Sequence, residues 1–444
     1  MIRATLRLCL AALTGALMLA APGARAAIDI QKVETPGGLT AWLVEDHTIP
    51  FTALEIRFRG GTALDSPEKA GATSLMTALL EEGAGEMDAR AFARARDSLA
   101  TTFRFDASTD AVRVSARFLT ENREAALGLL RKSLTQPRFD AEAIERVRGQ
   151  MMANLRSDAN DPRSMADKAF EAAVFGDHPY AIPGDGTLDT VPNLARDDIV
   201  AAHRGALARD RIYIGAAGDI TADELAALLD DLLGDLPETG TPLPGDADPA
   251  FSGETQVVDF DTPQSVAVFG QPGVAIDDPD FFAVYIVNRI LGGGSFESRL
   301  MEELREKRGL TYGVGTYLAD RDHAKLWMGS LASSNDTMAQ AVRLVRSEWA
   351  RLARDGVTEQ ELQDAKTYLT GAYPLRFDGN APIARIIVGM QMQGLPIDYV
   401  RTRNDRIRAV TLEEVNRVAA ERLDPEALSF TVVGQPEGMT APAN

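Results

Sequence analysis

The feature that most constrains the fold is an internal repeat of helix and strand patterns. A helical pattern at Leu194–His203 precedes a strand-like run at Ile212–Gly218. The same order recurs at Val410–Ala419 and Leu428–Gly434, and the closing glycines of the two runs are 216 positions apart. Because self-similarity at a fixed offset reflects repeated structural units, the chain is predicted to contain two copies of one unit.

A second pair of segments supports this division. Phe139–Ile144 matches Val357–Leu362, with an offset of 218 positions. In the first copy, Val112–Phe118 alternates apolar and polar residues, which predicts a half-buried strand, and residues 123–134 and 141–156 have helical periodicity. Strands followed by amphipathic helices are typical of α+β folds. We therefore predict two duplicated α+β domains, each an antiparallel-rich sheet with helices packed on one face.

A stretch rich in proline, glycine and acidic residues separates the two copies at residues 237–250. Such a composition is typical of a linker. We therefore predict an N-terminal domain over residues 27–236 and a C-terminal domain over residues 251–444.

The first 26 residues have the pattern of a secretory signal peptide. Arg3 and Arg7 precede the apolar run Leu8–Ala21, and the small residues Ala24 and Ala26 offer a cleavage site. A bilayer span needs about 20 apolar residues, and this run is shorter. We expect cleavage near Ala26, a periplasmic mature protein, and no membrane insertion after cleavage.

Cysteine content and charge exclude several functions. The one cysteine, Cys9, lies in the leader, so the mature chain can form neither disulfides nor Cys-ligated metal centres. The net charge is −19, and loss of the three leader arginines makes it −22, which argues against a nucleic-acid partner. The acidic balance fits a solvated surface or, more specifically, a chamber that favours cationic peptides.

A glycine-rich loop precedes the most informative helix of the second copy. Its residues are Gly292, Gly293, Gly294 and Ser295. The loop lacks the Gly-Lys-Ser/Thr ending of a nucleotide-binding loop. Because glycine allows close backbone approach, we predict that these four residues bind a peptide backbone.

The segment after this loop sets an arginine and a tyrosine on either side of a helix end. Periodicity predicts a helix over residues 297–307, Gly309 is expected to end it, and alternation predicts a strand from Thr311. Arg305 then lies in the last helical turn and Tyr312 at the start of the strand. Taken alone, Arg305 would complement the helix dipole and Tyr312 would pack its ring against the surface.

Three segments together resemble the pitrilysin/insulinase-type metallopeptidases. Gly60–Gly71 is similar to the loop before the metal-binding helix of that family, and Gly176–Tyr180 is similar to its His-Pro-Tyr segment. The most specific match is residues 291–312. The resemblance covers essentially the whole mature chain and implies the two-domain α+β architecture that the repeat also predicts.

The zinc-binding motif of that family is degenerate in this chain. The resemblance implies His-x-x-Glu-His on a helix over residues 72–82, in which the two histidines bind zinc and the glutamate acts as general base. Ser74, Thr77 and Ala78 occupy those positions, and the carboxylate ligand expected near Ala153–Asn154 is also missing. We therefore predict no metal site in this chain.

No other residue pattern offers a replacement site. The histidines are not spaced as paired ligands on one helix face, and they are His47, His178, His203 and His323. Glu81 and Glu82 are adjacent and are expected to end the helix before Gly83. Ser74 lies outside any Gly-x-Ser-x-Gly motif.

The resemblance implies a role for Arg305 and Tyr312 in a shared active site. In the family, an Arg and a Tyr at this spacing hydrogen-bond substrate carbonyls and the oxyanion across a closed chamber. We predict a zinc-free subunit of a two-chain peptidase, whose homologous partner chain binds zinc and whose substrate is an unfolded peptide held as an added strand. Two alternatives stay open: a catalytically silent peptide-binding scaffold, and a self-sufficient metalloenzyme with atypical ligands.

Overall fold

Two sheets form the centres of two similar halves. The computed structural model describes residues 28–294 and 296–439, so the predicted signal peptide with Cys9 lies outside the described residues. Within those two described ranges, no helix has the length and apolar character needed to cross a bilayer.

The first sheet has six strands. They are β1 (Gln31–Glu34), β2 (Thr40–Glu45), β3 (Phe51–Arg59), β6 (Thr102–Ala107), β7 (Ala111–Leu119) and β8 (Ile212–Gly218), while β4 (Gly83–Ala84) and β5 (Met87–Asp88) form a separate short hairpin. Their order is β1-β2-β8-β3-β7-β6. Strands β2 and β8 are parallel, and the other neighbours are antiparallel.

The second sheet repeats this topology. Its strands are β9 (Thr255–Asp259), β10 (Gln264–Pro272), β11 (Val314–Arg321), β12 (Ala324–Ser334) and β13 (Ser429–Gly434). The order β11-β12-β10-β13-β9 corresponds to β6-β7-β3-β8-β2, and β9 and β13 form the one parallel pair in this sheet. The predicted α+β fold with two duplicated, antiparallel-rich units is confirmed.

Helices connect and cover the strands. In the first half they are α1 (Ala72–Ala78), α2 (Ala89–Ser98), α3 (Arg123–Thr135), α4 (Ala141–Asp158), α5 (Pro162–Phe175), α6 (Arg196–Ala206) and α7 (Ala222–Leu233). In the second half they are α8 (Phe281–Leu291), the π-helix Met301–Glu306, α9 (Met338–Asp355), α10 (Glu359–Ala372), α11 (Asn380–Met392), α12 (Tyr399–Ala409) and α13 (Leu412–Arg422). Thr–Glu capping boxes start α7, α10 and α13, because each pair satisfies free backbone groups of the first turn.

Each sheet packs its main hydrophobic core against one face. Because side chains alternate along a strand, the residues between the core residues point to the opposite face. In β3, Leu54, Ile56 and Phe58 belong to the core of the first half, whereas Phe51 and Ala53 pack against α11 of the second half. Successive side chains of a strand point to opposite faces, so both faces of this sheet are covered.

The second sheet receives a helix from the first half in the same way. Phe269 of β10 lies in the core of the second half, whereas Val266 and Val268 pack with Phe170 and Val174 of α5. The helices α5 and α11 begin 218 positions apart, at Pro162 and Asn380, so they are equivalent in the repeat. The two halves therefore exchange equivalent helices.

The segment predicted as a linker is bonded to both halves. Residues 237–250 form neither helix nor strand in the described chain. Ala247 donates its N–H to the carbonyl of His323 at 2.9 Å, and Ala250 donates to the carbonyl of Val174 at 2.8 Å. This segment is thus held along its length and does not act as a free tether.

Truncation of Phe170 tests the helix exchange. Phe170 is buried under the second sheet, so Phe170→Ala should lower the free energy of unfolding by about 3–5 kcal/mol, the cost of removing a buried phenyl ring. Urea unfolding followed by tryptophan fluorescence and circular dichroism measures this. The exposed control Ile49→Ala should change it by less than about 0.5 kcal/mol. A loss below about 1 kcal/mol for Phe170→Ala would contradict the role given to α5.

Candidate functional site: a degenerate metal helix and an exposed Arg/Tyr segment

The degenerate zinc-motif helix begins at a buried carboxylate. Asp65 accepts hydrogen bonds from the N–H of Gly71 at 3.1 Å, the N–H of Thr73 at 3.2 Å and the hydroxyl of Thr73 at 2.6 Å. Burial raises the pKa of Asp65 to about 6, although these hydrogen bonds oppose the shift. Asp65 therefore has a structural role at the start of α1.

The residues at the three motif positions have no side chain that serves as a zinc ligand. The Ser74 hydroxyl donates to the carbonyl of Gly184 at 2.8 Å, and the buried Thr77 hydroxyl donates to the carbonyl of Thr73 at 2.7 Å. Ala78 has no ligating atom. Zinc binds thiolate, imidazole or carboxylate groups, so these residues do not fit it. Across the described ranges, no group of three or more His, Cys, Asp or Glu residues is placed to hold a metal ion.

The zinc-motif helix is shorter than the predicted span of residues 72–82. It ends at Ala78, because Leu80 and Glu82 donate their N–H groups to carbonyls only three residues earlier and so form tight turns. Glu81 pairs with Arg96, and Glu82 pairs with Arg146. The two carboxylates thus hold neighbouring helices and do not face each other.

The histidines make structural contacts. His203 is buried, with Nε2 2.8 Å from the carbonyl of Leu134, and Nδ1 of His47 lies 2.6 Å from a carboxylate oxygen of Asp219. Sequence spacing gave no sign that His178 and His323 are neighbours, yet their ring centres are 6.3 Å apart. Both rings contact the 237–250 segment, His178 at the carbonyl of Gly245 and His323 at the carboxylate of Asp246.

Arg305 lies in a π-helix, where an ordinary α-helix was predicted. The segment Met301–Glu306 has wide turns, such as the bond from the N–H of Lys307 to the carbonyl of Glu302 at 3.0 Å. Leu300, Met301 and Leu304 are buried in the core, which agrees with the helical periodicity of residues 297–307. Gly309 ends the segment with a φ of +62°, which also agrees with the prediction.

The guanidinium of Arg305 is left on the surface of this segment. It lies 4.3 Å from the ring centre of Phe296, a cation–π contact, and 3.9 Å from the Glu306 carboxylate. Phe296 is 60% exposed and Tyr312 is 86% exposed. Strand β11 starts at Val314, so Tyr312 lies in the turn before it and not in the strand. The contact between Arg305 and Phe296 was not predicted. The two residues are nine positions apart and part of a loop lies between them, so they have no helical or strand periodicity in common.

The glycines of the loop pack against the chain itself. A Cβ atom on Gly292 would lie 2.8 Å from Oγ1 of Thr316, and one on Gly293 would lie 2.5 Å from Nδ2 of Asn288. Arg289 donates to the carbonyl of Gly294 at 2.9 Å. Ser295, the fourth residue predicted to bind substrate, lies outside the described residues. The glycines are thus required by local packing, whatever their role in binding.

The buried polar residue Asn288 stabilises the glycine-rich loop. Oδ1 of Asn288 accepts hydrogen bonds from Oγ1 of Thr316 and from Nε1 of Trp327, both at 2.8 Å. The carbonyl of Gly292 accepts the N–H of Thr316 at 3.0 Å. The loop is therefore fixed to β11 and β12.

An ion pair anchors the start of the Arg305 helix. Arg299 donates to both carboxylate oxygens of Glu361, at 2.7 and 2.9 Å, and to the carbonyl of Gly356. Burial alone would raise the pKa of Glu361, but the hydrogen bonds from Arg299 and Thr358 outweigh it and lower the pKa to about 2. This carboxylate joins the Arg305 segment to the first turn of α10.

The fold and this site define a duplicated α+β protein of the peptidase type whose metal motif is degenerate. Two family descriptions match the chain: insulinase (peptidase family M16) over residues 40–186, and the peptidase M16 inactive domain over residues 193–369. The chain belongs to the insulinase family, peptidase family M16, which confirms the resemblance.

Relatives and solved structures match along most of the chain. A Helicobacter pylori protein named non-peptidase homolog YmxG is 27% identical, over 88% of this chain and 90% of its own length. The uncharacterized zinc protease SCO5738 of Streptomyces coelicolor is 24% identical, over 91% and 89%. A crystal structure of a peptidase M16 inactive domain from Pseudomonas fluorescens has a TM-score of 0.86 and 28% identity, and the match covers 94% of this chain and 99% of that one.

The Glu361 carboxylate gives a prediction for the dependence of stability on pH. Its lowered pKa stabilises the fold above about pH 4.5, and that stability is lost as the pH falls towards 2. At pH 7, Glu361→Gln should reduce the free energy of unfolding by about 2 kcal/mol, since the side chain is 30% exposed and solvent screens the pair. The difference in the free energy of unfolding between wild type and Glu361→Gln should shrink as the pH falls from 4.5 to 3.

Urea unfolding of both proteins from pH 7 to pH 3 measures this difference. Glu359→Gln is the matched control, because Glu359 is exposed in the same helical turn and should change stability by less than about 0.5 kcal/mol. A Glu361→Gln difference that stays constant over the whole pH range would refute the assigned linkage.

Proposed function

We propose that this chain is the zinc-free subunit of a two-chain metallopeptidase. One observation carries the proposal: Arg305 and Tyr312 lie on an exposed, well-anchored segment, while Ser74, Thr77 and Ala78 leave the metal half of the site without ligands. A homologous partner with an intact His-x-x-Glu-His motif would supply the zinc, the water and the general base. The two chains would form a heterodimer with one shared site.

The chemistry assigned to this chain is hydrogen-bond donation. The guanidinium of Arg305 and the phenol of Tyr312 can donate to a substrate carbonyl and to the oxyanion that forms from it. Partner and substrate have access to both groups, because Tyr312 is 86% exposed and, among the described residues, the guanidinium of Arg305 is held by a ring face and a long ion-pair contact. The ring of Phe296 would restrict the arginine and so reduce the entropy lost on binding.

The proposed substrate is an unfolded peptide that adds as a strand. Strand β11 is an edge strand of the second sheet, and it starts two residues after Tyr312. An extended peptide along such an edge gains main-chain hydrogen bonds with little dependence on its sequence. The leader sequence with Arg3, Arg7 and the apolar run Leu8–Ala21 supports a periplasmic location for this activity.

A catalytically silent scaffold is the second candidate. The name of the Helicobacter pylori relative, non-peptidase homolog, favours it, as does the description of the Pseudomonas fluorescens structure as an inactive domain. Such a protein would bind peptides through the same fold, and its function would not depend on Arg305 or Tyr312.

The metal content of the purified chain distinguishes a third candidate, a self-sufficient metalloenzyme with atypical ligands. We expect well under one zinc per chain after dialysis, because the residues at the motif positions cannot ligate the ion. Metal analysis by mass spectrometry checks this. One tightly held zinc per chain would support the third candidate and contradict the zinc-free subunit.

Substitution of the Arg/Tyr pair tests the shared site. The mature chain is mixed with a chain that carries the intact zinc motif, such as one encoded beside it, and peptide cleavage is followed. We expect Arg305→Ala and Tyr312→Phe each to lower kcat about 10²–10³-fold, the usual cost of losing one oxyanion donor. Stability should stay unchanged, because neither side chain is buried.

Matched controls separate catalysis from surface effects. Tyr213→Phe removes a hydroxyl from a partly exposed tyrosine of β8, and Arg343→Ala removes an exposed arginine of α9. Both should leave cleavage within about twofold of wild type. If the mixture is no more active than the zinc-bearing chain alone, or if the Arg305 and Tyr312 variants are as active as the controls, the shared site is refuted and the scaffold is favoured.

A further inference from the structure

A basic cavity lies where the two halves meet. Its volume is about 740 Å³. Arg57, from β3 of the first sheet, lines one side, and Arg376, Arg385 and Arg403 of the second half line the others. Neither aspartate nor glutamate is among the residues that line it.

A second cavity of about 320 Å³ extends this space to the glycine-rich loop. The two cavities share Tyr285, Tyr373, Arg376 and Arg403, and the second is also lined by Gly293. No acidic residue lines the second cavity either. The two adjoining cavities are here together called the basic groove, and their lining reaches from Gly293 of the glycine-rich loop to Arg57 of the first sheet.

The four arginines of the first cavity make no ion pair with a carboxylate at contact distance in the described part of the chain. Among the described residues, no Asp or Glu oxygen lies within 4.0 Å of the guanidinium nitrogens of Arg57, Arg376, Arg385 or Arg403. Glu55, two residues before Arg57, is buried and accepts a hydrogen bond from Ser115 at 2.7 Å, and its charge acts on Arg57 and Arg385 from beyond that distance. The charge of the groove is thus opposite to that of the chain, whose net charge is −19.

Two of these guanidinium groups are held in place by contacts within the chain. Arg403 is 5% exposed, stacks on the ring of Tyr373 at 4.1 Å and donates to the carbonyl of Leu369. Arg57 donates to Sδ of Met392 at 3.8 Å and to the carbonyl of Arg385 at 3.4 Å, while its Nε is buried without a hydrogen-bond partner; burial together with the nearby Arg113 lowers the pKa of Arg57. The exposed guanidinium groups of Arg376 and Arg385, beside the buried charge of Arg57, favour an anionic ligand that accepts charge-assisted hydrogen bonds.

The walls between the arginines are apolar and aromatic. Phe281 and Phe282 of α8 and Leu395 contact the same space. A polyphosphate chain would leave these surfaces without a partner. A peptide that carries both carboxylate and apolar side chains would satisfy the guanidinium groups and cover the aromatic rings.

We propose that the basic groove binds an acidic segment of a peptide, with its carboxylates on Arg57, Arg376, Arg385 and Arg403. Peptide binding by the groove needs no partner chain. The further statement that the bound peptide is a substrate rests on the proposed function, because Gly293, which lines the groove, belongs to the loop that precedes the Arg305 segment. The groove would select acidic substrates, the opposite of the cationic preference that overall charge suggested.

Binding to the mature chain alone tests the groove. Fluorescence anisotropy compares a labelled peptide of alternating Glu and Leu with its Gln counterpart of the same length. We expect the acidic peptide to bind at least about tenfold more tightly, since each charge-assisted hydrogen bond is worth more than a neutral one. Arg376→Gln combined with Arg385→Gln should weaken it about tenfold, and both side chains are exposed, so the fold should be kept.

The matched control removes the same charge elsewhere. Arg204→Gln combined with Arg343→Gln changes two exposed arginines that lie outside the groove, and it should leave the affinity within about twofold. Three results would each overturn the proposal. The first is equal binding of the Gln peptide, and the second is equal weakening by the control pair. The third is displacement of the labelled peptide by a polyphosphate of matched charge as effectively as by the unlabelled acidic peptide. Since Arg305, Tyr312 and the partner chain are not involved, failure here leaves the shared site untouched, and failure of the shared site leaves this binding measurable.

Discussion

The exchange of equivalent helices between the halves is the constraint on which the rest of the structure depends. A β-sheet with an apolar second face must bury it, and each unit supplies the helix that covers the other. At Gly215 of β8, a Cβ atom would lie 2.6 Å from the carbonyl of Ala384 in α11, so the approach leaves no room for a side chain. Because each half lacks its own second layer, neither is complete without the other, and the clefts between them keep a defined shape.

That rigidity bears on the proposed site. Arg305 and Tyr312 can act in a site shared with another chain only if their own chain holds both side chains in place, so that they lose little conformational entropy on binding substrate. The ion pair between Arg299 and Glu361 and the bonds of Asn288 fix the segment from below, while its outer surface stays exposed. The π-helix adds to this, since wide turns of this kind are rare and often occur at functional sites.

Charge is distributed unevenly between surface and interior. The chain as a whole is strongly acidic, yet four arginines meet in one groove between the halves, and no Asp or Glu is among the residues that line it. Overall charge sets solubility and long-range attraction, whereas binding depends on the local groups that are desolvated together. An acidic protein can therefore hold a site for acidic peptides, provided that carboxylates do not line that site.

The sequence by itself determined the duplication, the α+β class and the family, because periodicity and offset are properties of the chain. It also determined that Ser74, Thr77 and Ala78 cannot bind zinc, since ligand chemistry depends on residue type alone. Only the tertiary structure decided the helix exchange and the proximity of His178 to His323. It also decided the grouping of Arg57 with arginines more than 300 positions later. Such contacts join residues with no periodic relation, so they depend on how the sheets and helices pack, which local patterns do not encode.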